Sequence, residues 1–315
     1  MSLTLNKEQF INQNEVRWCP GCGDYAILSA LQKTLPELDI PPEKNVFVSG
    51  IGCSGRLPYY LNTYGFHTIH GRATAVASGL KLARPDLTVW VITGDGDGLS
   101  IGANHLMHLL RRNINVNILL FNNQVYGLTK GQFSPTSQLG QITKTSPTGV
   151  NQAPVNPILF ALGSGATFVA RALDKDTAHL AKVLKAAQEH PGCSFVEIYQ
   201  DCHVFNPGAF DAFATKATRG IHTLSLEVGE PLLFADKALS ILNDNFIVSQ
   251  DITSAAIHTA DYLNAVRLSR LNFPDFPVPI GVFYQDHTAA EFSFTKHQAK
   301  GNLEQLLAGD YHWQR

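Results

Sequence analysis

The chain has 315 residues, of which 44% are hydrophobic and 25 are glycine, and its formal net charge is −2. A chain of this length can bury a substantial core in one or two domains, and its near-neutral charge argues against a nucleic-acid partner. We also expect no membrane partner, because no apolar run reaches the roughly 18 residues of a membrane span and the first residues lack a secretory signal.

The first distinctive stretch, EVRWCPGCGDY, carries a CxxC pair formed by Cys19 and Cys22. The proline and glycine between these cysteines make a tight turn, which points both sulfur atoms at one atom or cluster. By itself, such a pair is compatible with a redox-active dithiol, half of a zinc site or half of an iron–sulfur site. Asp24 is predicted to cap a helix over residues 25–35.

The other three cysteines are far apart in the chain. Cys53 lies in a second glycine-rich turn, GIGCSGR, whereas Cys193 precedes and Cys202 follows the predicted strand SFVEIY. The lack of a second close pair disfavours a compact zinc ribbon. Because the CxxC pair, Cys53 and Cys202 all lie at strand or helix ends, we expect them to converge at one end of a sheet. Cys193 is expected to be a buried, inert thiol. We expect a cytoplasmic location, where disulfides are rare.

The tripeptide HGR, from His70 to Arg72, precedes a predicted helix over residues 74–83. It could be an ordinary polar entrance to that helix. The favoured interpretation is a site wall, in which His70 hydrogen-bonds to a cofactor or substrate and Arg72 meets an anionic group.

A strand–helix–strand unit forms the centre of the chain. The runs LTVWVIT and VNILLF are short, apolar and rich in β-branched residues, as expected of strands buried on both faces of a parallel sheet. Between them, apolar residues at helical spacing predict a helix over residues 99–110. The segments GDGDG and NNQVYG therefore follow two parallel strands, at the sheet edge where α/β proteins bind ligands.

Asp95 in the first of these segments and Asn123 in the second offer a carboxylate and an amide oxygen, which suit magnesium. A lone GDG is more often an ordinary glycine turn. Together with its spacing to the paired asparagines, however, it resembles the diphosphate-binding motif of thiamine-diphosphate enzymes. This resemblance implies that Asp95, Asn123 and the carbonyl of Val125 hold Mg²⁺.

The composition of YGLTKGQFSPT, residues 126–136, predicts a loop at the end of the second strand. Lys130 would be favourable beside the diphosphate and a substrate carboxylate, although it could also be a solvated surface lysine. Thr129 and Gln132 could hydrogen-bond to phosphate oxygens, and Leu128 could shape the substrate pocket. The resemblance implies that this loop covers the reacting end of the cofactor.

The remaining pattern predicts an irregular segment over residues 138–157, followed by alternating helices and strands up to SFVEIY. Repeated β–α–β order indicates an α/β fold, a doubly wound and mostly parallel sheet with helices on both faces. We expect one domain over residues 1–207. Residues 208–315 are expected to form an irregular extension that packs on this domain or on a partner, with helices in FADKALSILNDN and near the carboxyl terminus.

Five motifs in sequence, WCPGCGDY, GIGCSGR, HGRATAVASGLKLA, GDGDGLSIG and NNQVYGLTKGQFSPT, resemble the β subunit of a 2-oxoacid:ferredoxin oxidoreductase. The resemblance covers residues 18 to about 207. It implies that Cys19, Cys22, Cys53 and, by position, Cys202 bind one 4Fe–4S cluster, with Cys193 as the alternative to Cys202. It further implies a thiamine-diphosphate site made of Ile51, Gly52, Cys53, Ser54, His70, Gly94, Asp95, Gly96, Asp97, Asn123, Val125, Tyr126, Gly127, Leu128 and Thr129.

The function implied is oxidative decarboxylation of 2-oxoglutarate to succinyl-CoA and CO2, or the reverse carboxylation, dependent on thiamine diphosphate and coenzyme A. Electrons would pass through the cluster to ferredoxin, and Lys130, His70 and Arg72 are the catalytic candidates. Thiamine enzymes also need a glutamate on a pyrimidine-binding domain, which we do not find here. The family thus implies an α subunit that carries it, in a heterodimer or a dimer of heterodimers.

The sequences YGLTKGQFSPT and HGRA favour 2-oxoglutarate, and pyruvate or another 2-oxoacid stays open. Two hypotheses of other classes also stay open. A non-redox thiamine-diphosphate decarboxylase or synthase would have no use for four cysteines, and a zinc-stabilised binding subunit would use them structurally.

Overall fold

The computed structural model describes residues 5–292. The strands are β1 Asn45–Ser49, β2 Tyr64–His67, β3 Thr88–Gly94, β4 Asn117–Asn122, β5 Phe168–Leu173, β6 Ser194–Tyr199, β7 Thr223–Leu226, β8 Leu233–Phe234, β9 Lys237–Leu242, β10 Asn245–Ser249 and β11 Val278–Gln285. The α-helices are α1 Asp24–Thr34, α2 Ala73–Ala83, α3 Asp95–Leu99, α4 Ala103–Arg112, α5 Pro157–Gly163, α6 Thr177–Glu189, α7 Asp211–Ala214, α8 Arg219–His222 and α9 Tyr262–Ser269. Short 3-10 helices span Lys7–Phe10, Leu35–Leu38, Pro42–Lys44, Ser54–Tyr60 and Ile252–Ser254.

Eight strands form one sheet in the order β2-β1-β3-β4-β6-β5-β11-β7. The first six of these are parallel to one another, and β11 is antiparallel to β5. The chain runs outward from β1 to β2 and then returns to place β3 on the other side of β1. This reversal creates a crevice at the carboxyl ends of β1 and β3, which is where such sheets bind ligands. The predicted α/β, mostly parallel sheet is confirmed.

Alternate residues of each central strand belong to different cores. Val48 and Val91 pack with the helices α2, α4, α5 and α9 on one face. Phe47 and Trp90 stack at a ring-centroid distance of 5.8 Å on the other face, with α1 and α6. Because both faces are covered, the strands are almost continuously apolar. Helices cover both faces of the sheet, as predicted. Polar side chains therefore lie at the ends of the strands, where the helices do not bury them. Within residues 5–292, no helix is long and apolar enough to cross a membrane.

The helix predicted over residues 99–110 is interrupted. α3 ends at Leu99 and α4 begins at Ala103, with Gly102 between them. Gly102 lies against Gly71, where an added Cβ would be 2.5 Å from the Gly102 Cα. The break therefore lets two backbone segments approach at a distance that side chains would prevent.

Residues beyond 207 are more regular than the sequence suggested. β7 and β11 extend the main sheet, and β8, β9 and β10 form a separate three-stranded sheet. The structure therefore gives no break in the main sheet at residue 207. The helix predicted near the carboxyl terminus lies outside the described residues.

The helix predicted in FADKALSILNDN is wrong, because this segment contains β9 and the turn into β10. Asn243 and Asp244 both have left-handed backbone conformations, with φ of 49° and 63°. Two left-handed residues between antiparallel strands form the turn type that matches strand twist, and asparagine and aspartate tolerate it. The polar sequence NDN therefore indicates a hairpin turn, although the apolar spacing before it is compatible with a helix.

From this turn we predict that two substitutions of Asn243 will change the free energy of unfolding differently. Asn243→Gly should leave the free energy of unfolding unchanged or slightly higher, whereas Asn243→Val should lower it by about 1–2 kcal/mol because a β-branched residue disfavours positive φ. Urea unfolding of both variants measures this difference. A larger loss for glycine than for valine would indicate a helix instead.

Candidate functional site

A cavity of about 290 Å³ opens at the carboxyl ends of β1, β3 and β4. Every residue predicted to bind thiamine diphosphate lines it, and so do four others. The lining consists of Asp24, Ile51, Gly52, Cys53, Ser54, His70, Gly94, Asp95, Gly96, Asp97, Ile101, Phe121, Asn123, Val125, Tyr126, Gly127, Leu128, Thr129 and Gln200. The structure thus brings three separate motifs to one cavity, while their roles stay predictions.

Asp24, Ile101, Phe121 and Gln200 are lining residues that the sequence reasoning missed. Gln200 had a signal, since it directly follows β6 as Asn123 follows β4.

Asp24 does not cap α1 as predicted: the capping position is Gly23, and both carboxylate oxygens of Asp24 lack a hydrogen-bond partner among the described residues. Burial raises the pKa of Asp24 to about 7. Its carboxyl group is thus directed to the cavity rather than to the helix end.

Asp95 is buried at the start of α3, and its Oδ2 accepts hydrogen bonds from two hydroxyl groups. Ser134 Oγ donates at 2.5 Å and Thr136 Oγ1 lies at 2.6 Å. Burial raises the pKa of Asp95, although these two hydroxyls act in the opposite direction. A carboxylate in such a position is stabilised when a cation binds to it.

A chain of polar contacts leads from Asp95 back into the sheet. Thr136 Oγ1 lies 2.9 Å from Asn122 Oδ1, and Asn122 Nδ2 donates to Glu197 Oε1 at 2.7 Å. Glu197 in turn accepts from Arg171 Nε at 2.7 Å in an ion pair that is almost fully buried. Removing either ion would leave the other unpaired in the core, which costs several kcal/mol. This buried pair therefore fixes the orientation of the Asn122 amide behind the site.

Asp97 also lines the cavity, but its carboxylate is used within the protein. Oδ1 accepts from the backbone N–H groups of Ile51 at 3.2 Å and Gly71 at 2.8 Å, and Oδ2 accepts from Thr93 Oγ1 at 2.8 Å. These bonds join the turns after β1 and β2 to the start of α3. Asp97 thereby holds the cavity wall together.

Asn123 and Val125 present oxygen atoms on the opposite wall. Asn123 Oδ1 accepts from Val125 N at 3.2 Å, and Asn123 Nδ2 donates to Gln200 Oε1 at 2.8 Å. The Tyr126 hydroxyl donates to Gly96 O at 3.0 Å, which joins the loop after β4 to the first turn of α3. The donor set of Asp95, Asn123 and the Val125 backbone is composed of hard oxygens on one cavity, which fits Mg²⁺.

Four of the five cysteines come together beside this cavity. Trp18 Nε1 donates to Cys53 O at 2.7 Å, which ties the CxxC segment to the Cys53 turn, and Gly23 N donates to Asp201 O at 3.0 Å, which ties it to Cys202. A Cβ added at Gly127 would lie 3.6 Å from Cys53 Sγ and 3.5 Å from Cys202 Sγ. These are ordinary van der Waals distances, so the loop after β4 lies against both sulfur atoms.

The thiols influence one another electrostatically. Burial, the negative charge of Asp24 and then the neighbouring cysteines raise the pKa of Cys53 to about 12. The same causes raise the pKa of Cys22, and burial raises that of Cys202. Bound iron would favour the thiolate forms, so this donor set fits a metal cluster. The fit rests on ligand chemistry and on the proximity of the thiols, because within residues 5–292 no three or more His, Cys, Asp or Glu side chains are already arranged as a group that could hold a metal ion.

Cys193 is elsewhere, fully buried in the apolar core beside Phe195. Burial raises the pKa of its thiol. This placement agrees with the expectation of an inert thiol, because no other cysteine influences it.

Of the three catalytic candidates, only His70 lines the cavity. Arg72 faces a separate depression with Phe66 and Ile69, because the chain turns at Gly71, where φ is 65°. Arg72 therefore does not line the cavity in this conformation, and its role stays a prediction. Lys130 is exposed in the 126–132 loop, where its φ is 76°, and it does not line the cavity, so its role stays a prediction.

The neighbouring loop residues Leu128 and Thr129 line the cavity, and their roles stay predictions. Leu128 and Thr129 are exposed at the rim of the cavity. Thr129 Oγ1 bonds to Gln132 Oε1 at 2.6 Å, and Gln132 Nε2 donates to Thr129 O at 2.9 Å. These two side chains pair with each other in this conformation.

Comparison with known proteins identifies the relatives of this chain. Residues 50–198 match the family model of the C-terminal TPP-binding domain of thiamine pyrophosphate enzymes. A 2-oxoglutarate oxidoreductase subunit KorB of Mycobacterium tuberculosis is 59% identical over 72% of this chain and 61% of its own length. A 2-oxoacid:ferredoxin oxidoreductase subunit beta of Saccharolobus solfataricus is 39% identical over 87% of this chain and 83% of its own length.

A solved structure gives the same picture. The 2-oxoglutarate:ferredoxin oxidoreductase from Magnetococcus marinus, with 2-oxoglutarate, coenzyme A and succinyl-CoA bound, matches with a TM-score of 0.76 and 34% identity. The match covers 96% of this chain and 95% of that chain. For the first two sequence relatives, the match spans about three-fifths of their length, 61% and 59%.

The contacts of Asp97 predict a structural effect when it is replaced. Asp97→Ala should lower the free energy of unfolding by about 3 kcal/mol, because two backbone N–H groups and a hydroxyl lose their buried acceptor. Urea unfolding measures the loss.

Asp86→Ala is the matched control. Asp86 also has several bonded partners, Lys44 and Arg84, but these are exposed, so its loss should cost much less stability than the loss of Asp97. Equal losses in the two variants would contradict a structural role for Asp97.

Proposed function

The chain belongs to the family of 2-oxoacid:ferredoxin oxidoreductase β subunits, and we propose that it is the β subunit of a 2-oxoglutarate:ferredoxin oxidoreductase. The reaction is the oxidative decarboxylation of 2-oxoglutarate to succinyl-CoA and CO2, or its reverse. Electrons pass through one 4Fe–4S cluster to ferredoxin. The observation that carries this proposal is that the cavity lined by the oxygen donors is also lined by Cys53, with Cys202 against the same loop at Gly127.

Thiamine diphosphate would be held in that cavity through Mg²⁺, with Asp95, Asn123 and the Val125 carbonyl as ligands. When bound, the cofactor would supply the nucleophilic carbon and the electron sink for decarboxylation. The protein orients Asp95 through Ser134 and Thr136, and Gly94 and Gly96 line the cavity, where their backbone would allow the close approach of a phosphate. His70, on the cavity wall, is the side chain that we assign to contact with cofactor or substrate.

The cluster would be held by Cys19, Cys22, Cys53 and Cys202. The geometric support for this assignment is that the sulfur atoms of Cys53 and Cys202 both lie next to Gly127, which lines the cavity. A cluster at this place would lie next to the thiamine cofactor, where it can accept electrons one at a time. A thiamine enzyme without redox chemistry would not need this convergence of sulfur atoms.

The substrate and partners are proposed from the relatives. Proteins named for 2-oxoglutarate include the Mycobacterium tuberculosis subunit and the Magnetococcus marinus enzyme. Relatives named as β subunits support an α subunit, which would bring the pyrimidine-binding domain with its glutamate. Coenzyme A and ferredoxin complete the reaction. Pyruvate is the alternative substrate, because other relatives are named only for 2-oxoacids.

Asp95→Ala should abolish thiamine-diphosphate binding in the complex with the α subunit, because the central Mg²⁺ ligand is lost. Titration calorimetry with thiamine diphosphate and Mg²⁺ measures binding. The visible spectrum of the cluster in the same sample should be unchanged, which controls for folding. Affinity equal to the unmodified protein would remove Asp95 from the metal site.

The fourth cluster ligand is tested by comparing two cysteines. Cys202→Ala should lose the cluster or reduce it to a three-iron form, as read by paramagnetic resonance. Cys193→Ala should keep the four-iron cluster and lose about 1 kcal/mol of stability, because a small buried side chain is truncated in the apolar core. The opposite result would assign Cys193 as the ligand.

A further inference from the structure

Gln200 lies directly between the two parts of the site. It is 1% exposed and follows the last residue of β6. Its Oε1 accepts from Asn123 Nδ2 at 2.8 Å, and its Nε2 donates to Cys22 Sγ at 3.3 Å. One side chain therefore contacts a proposed Mg²⁺ ligand at one end and a proposed cluster ligand at the other.

The orientation of this amide is determined by a third contact. Gln200 Nε2 lies 2.8 Å from the backbone carbonyl of Asp201, and only a nitrogen can donate to that oxygen. The oxygen of Gln200 must then face Asn123, so Asn123 directs its amide nitrogen to Gln200. The Asn123 oxygen is then turned away from Gln200 and accepts from the N–H of Val125, whose carbonyl is another proposed Mg²⁺ ligand.

A second set of hydrogen bonds links Asn123 to the segment that carries Cys202. Asn206 Nδ2 donates to the backbone carbonyl of Asn123 at 2.9 Å, and Asn206 N donates to Cys202 O at 3.0 Å. Residues 200–206, which we call the strap, therefore contact Asn123 at both ends. Because the strap carries Cys202, the backbone and side chain of Asn123 are fixed relative to the cysteines.

We infer that Gln200 is a positioning residue shared by the two cofactor sites, which orients the Asn123 amide for Mg²⁺ and donates a hydrogen bond to the Cys22 sulfur. The inference rests on the proposed function, because it assumes that Asn123 binds Mg²⁺ and Cys22 binds the cluster.

Two measurable effects follow from this arrangement. A hydrogen bond to a cluster sulfur stabilises the more negative, reduced form and so raises the reduction potential. Loss of a residue that orients a metal ligand weakens metal binding by roughly 10–100-fold. Replacing Gln200 should therefore lower the cluster potential and weaken the binding of thiamine diphosphate with Mg²⁺ in the same variant.

The test uses the complex of this chain with its α subunit and compares Gln200→Met with the unmodified protein. Methionine has a similar length but offers neither the amide oxygen nor the N–H groups. A redox titration followed by paramagnetic resonance gives the midpoint potential, and calorimetry gives the affinity for thiamine diphosphate at fixed Mg²⁺. We expect a more negative potential and about tenfold weaker binding.

Gln188→Met is the matched control. Gln188 also accepts a hydrogen bond from an asparagine, Asn117, but at the opposite end of β4 from Asn123. It should leave both the potential and the affinity unchanged. If Gln200→Met fails to assemble, Gln200→Ala removes the same contacts without filling the space and is measured instead.

The possible failures are distinguishable. An unmodified complex that lacks the cluster or does not bind thiamine diphosphate overturns the proposed function, and the role of Gln200 with it. An unmodified complex that has both, with a Gln200 variant whose potential and affinity are unchanged, overturns the role of Gln200 alone. Equal shifts in the Gln188 control would also overturn it, because the effect would then be general to asparagine–glutamine pairs.

Discussion

Negative charge buried at the carboxyl edge of the sheet is the constraint on which the rest of the site depends, because an unpaired carboxylate is costly to bury. Each of these groups is accommodated in a different way. Asp97 receives backbone N–H groups, Glu197 is paired with Arg171, and Asp95 receives two hydroxyls. These partners hold the turns after β1, β3 and β4 in fixed positions. Asp24, which lies next to the cysteines, differs from these three carboxylates. Neither of its carboxylate oxygens has a hydrogen-bond partner among the described residues.

The different partners give the two aspartates of GDGDG different roles. Asp97 is fully engaged with the protein, so it contributes rigidity. Asp95 bonds to side-chain hydroxyls on a loop that comes from elsewhere in the chain, and it faces the cavity. A cation at Asp95 would compensate its buried charge, whereas one at Asp97 would have to compete with three existing hydrogen bonds. The structure thus supports Asp95 as the metal ligand for a physical reason that the motif does not contain.

The sequence was sufficient to predict which residues line the cavity where that depends on residue type and on position relative to a strand end. Asp95, Asn123 and Cys53 directly follow or lie near strand ends, and parallel strands bring such residues to one edge. The sequence did not indicate which cavity a side chain would line: Arg72 lines a different depression from His70, with Gly71 in a left-handed conformation between them, and Lys130 is exposed away from the cavity lining. Gln200 was missed although it follows a strand as Asn123 does, because its importance comes from hydrogen bonds to Asn123 and Cys22 that only the folded structure shows.

The most direct measurement is made on the chain co-expressed with its α subunit and purified without oxygen. Visible and paramagnetic-resonance spectra are recorded before and after adding coenzyme A with 2-oxoglutarate, or with pyruvate for comparison. The predicted result is a 4Fe–4S cluster that is reduced by 2-oxoglutarate and not by pyruvate. A complex that binds thiamine diphosphate but has no cluster signal would contradict the redox function and indicate thiamine chemistry without electron transfer.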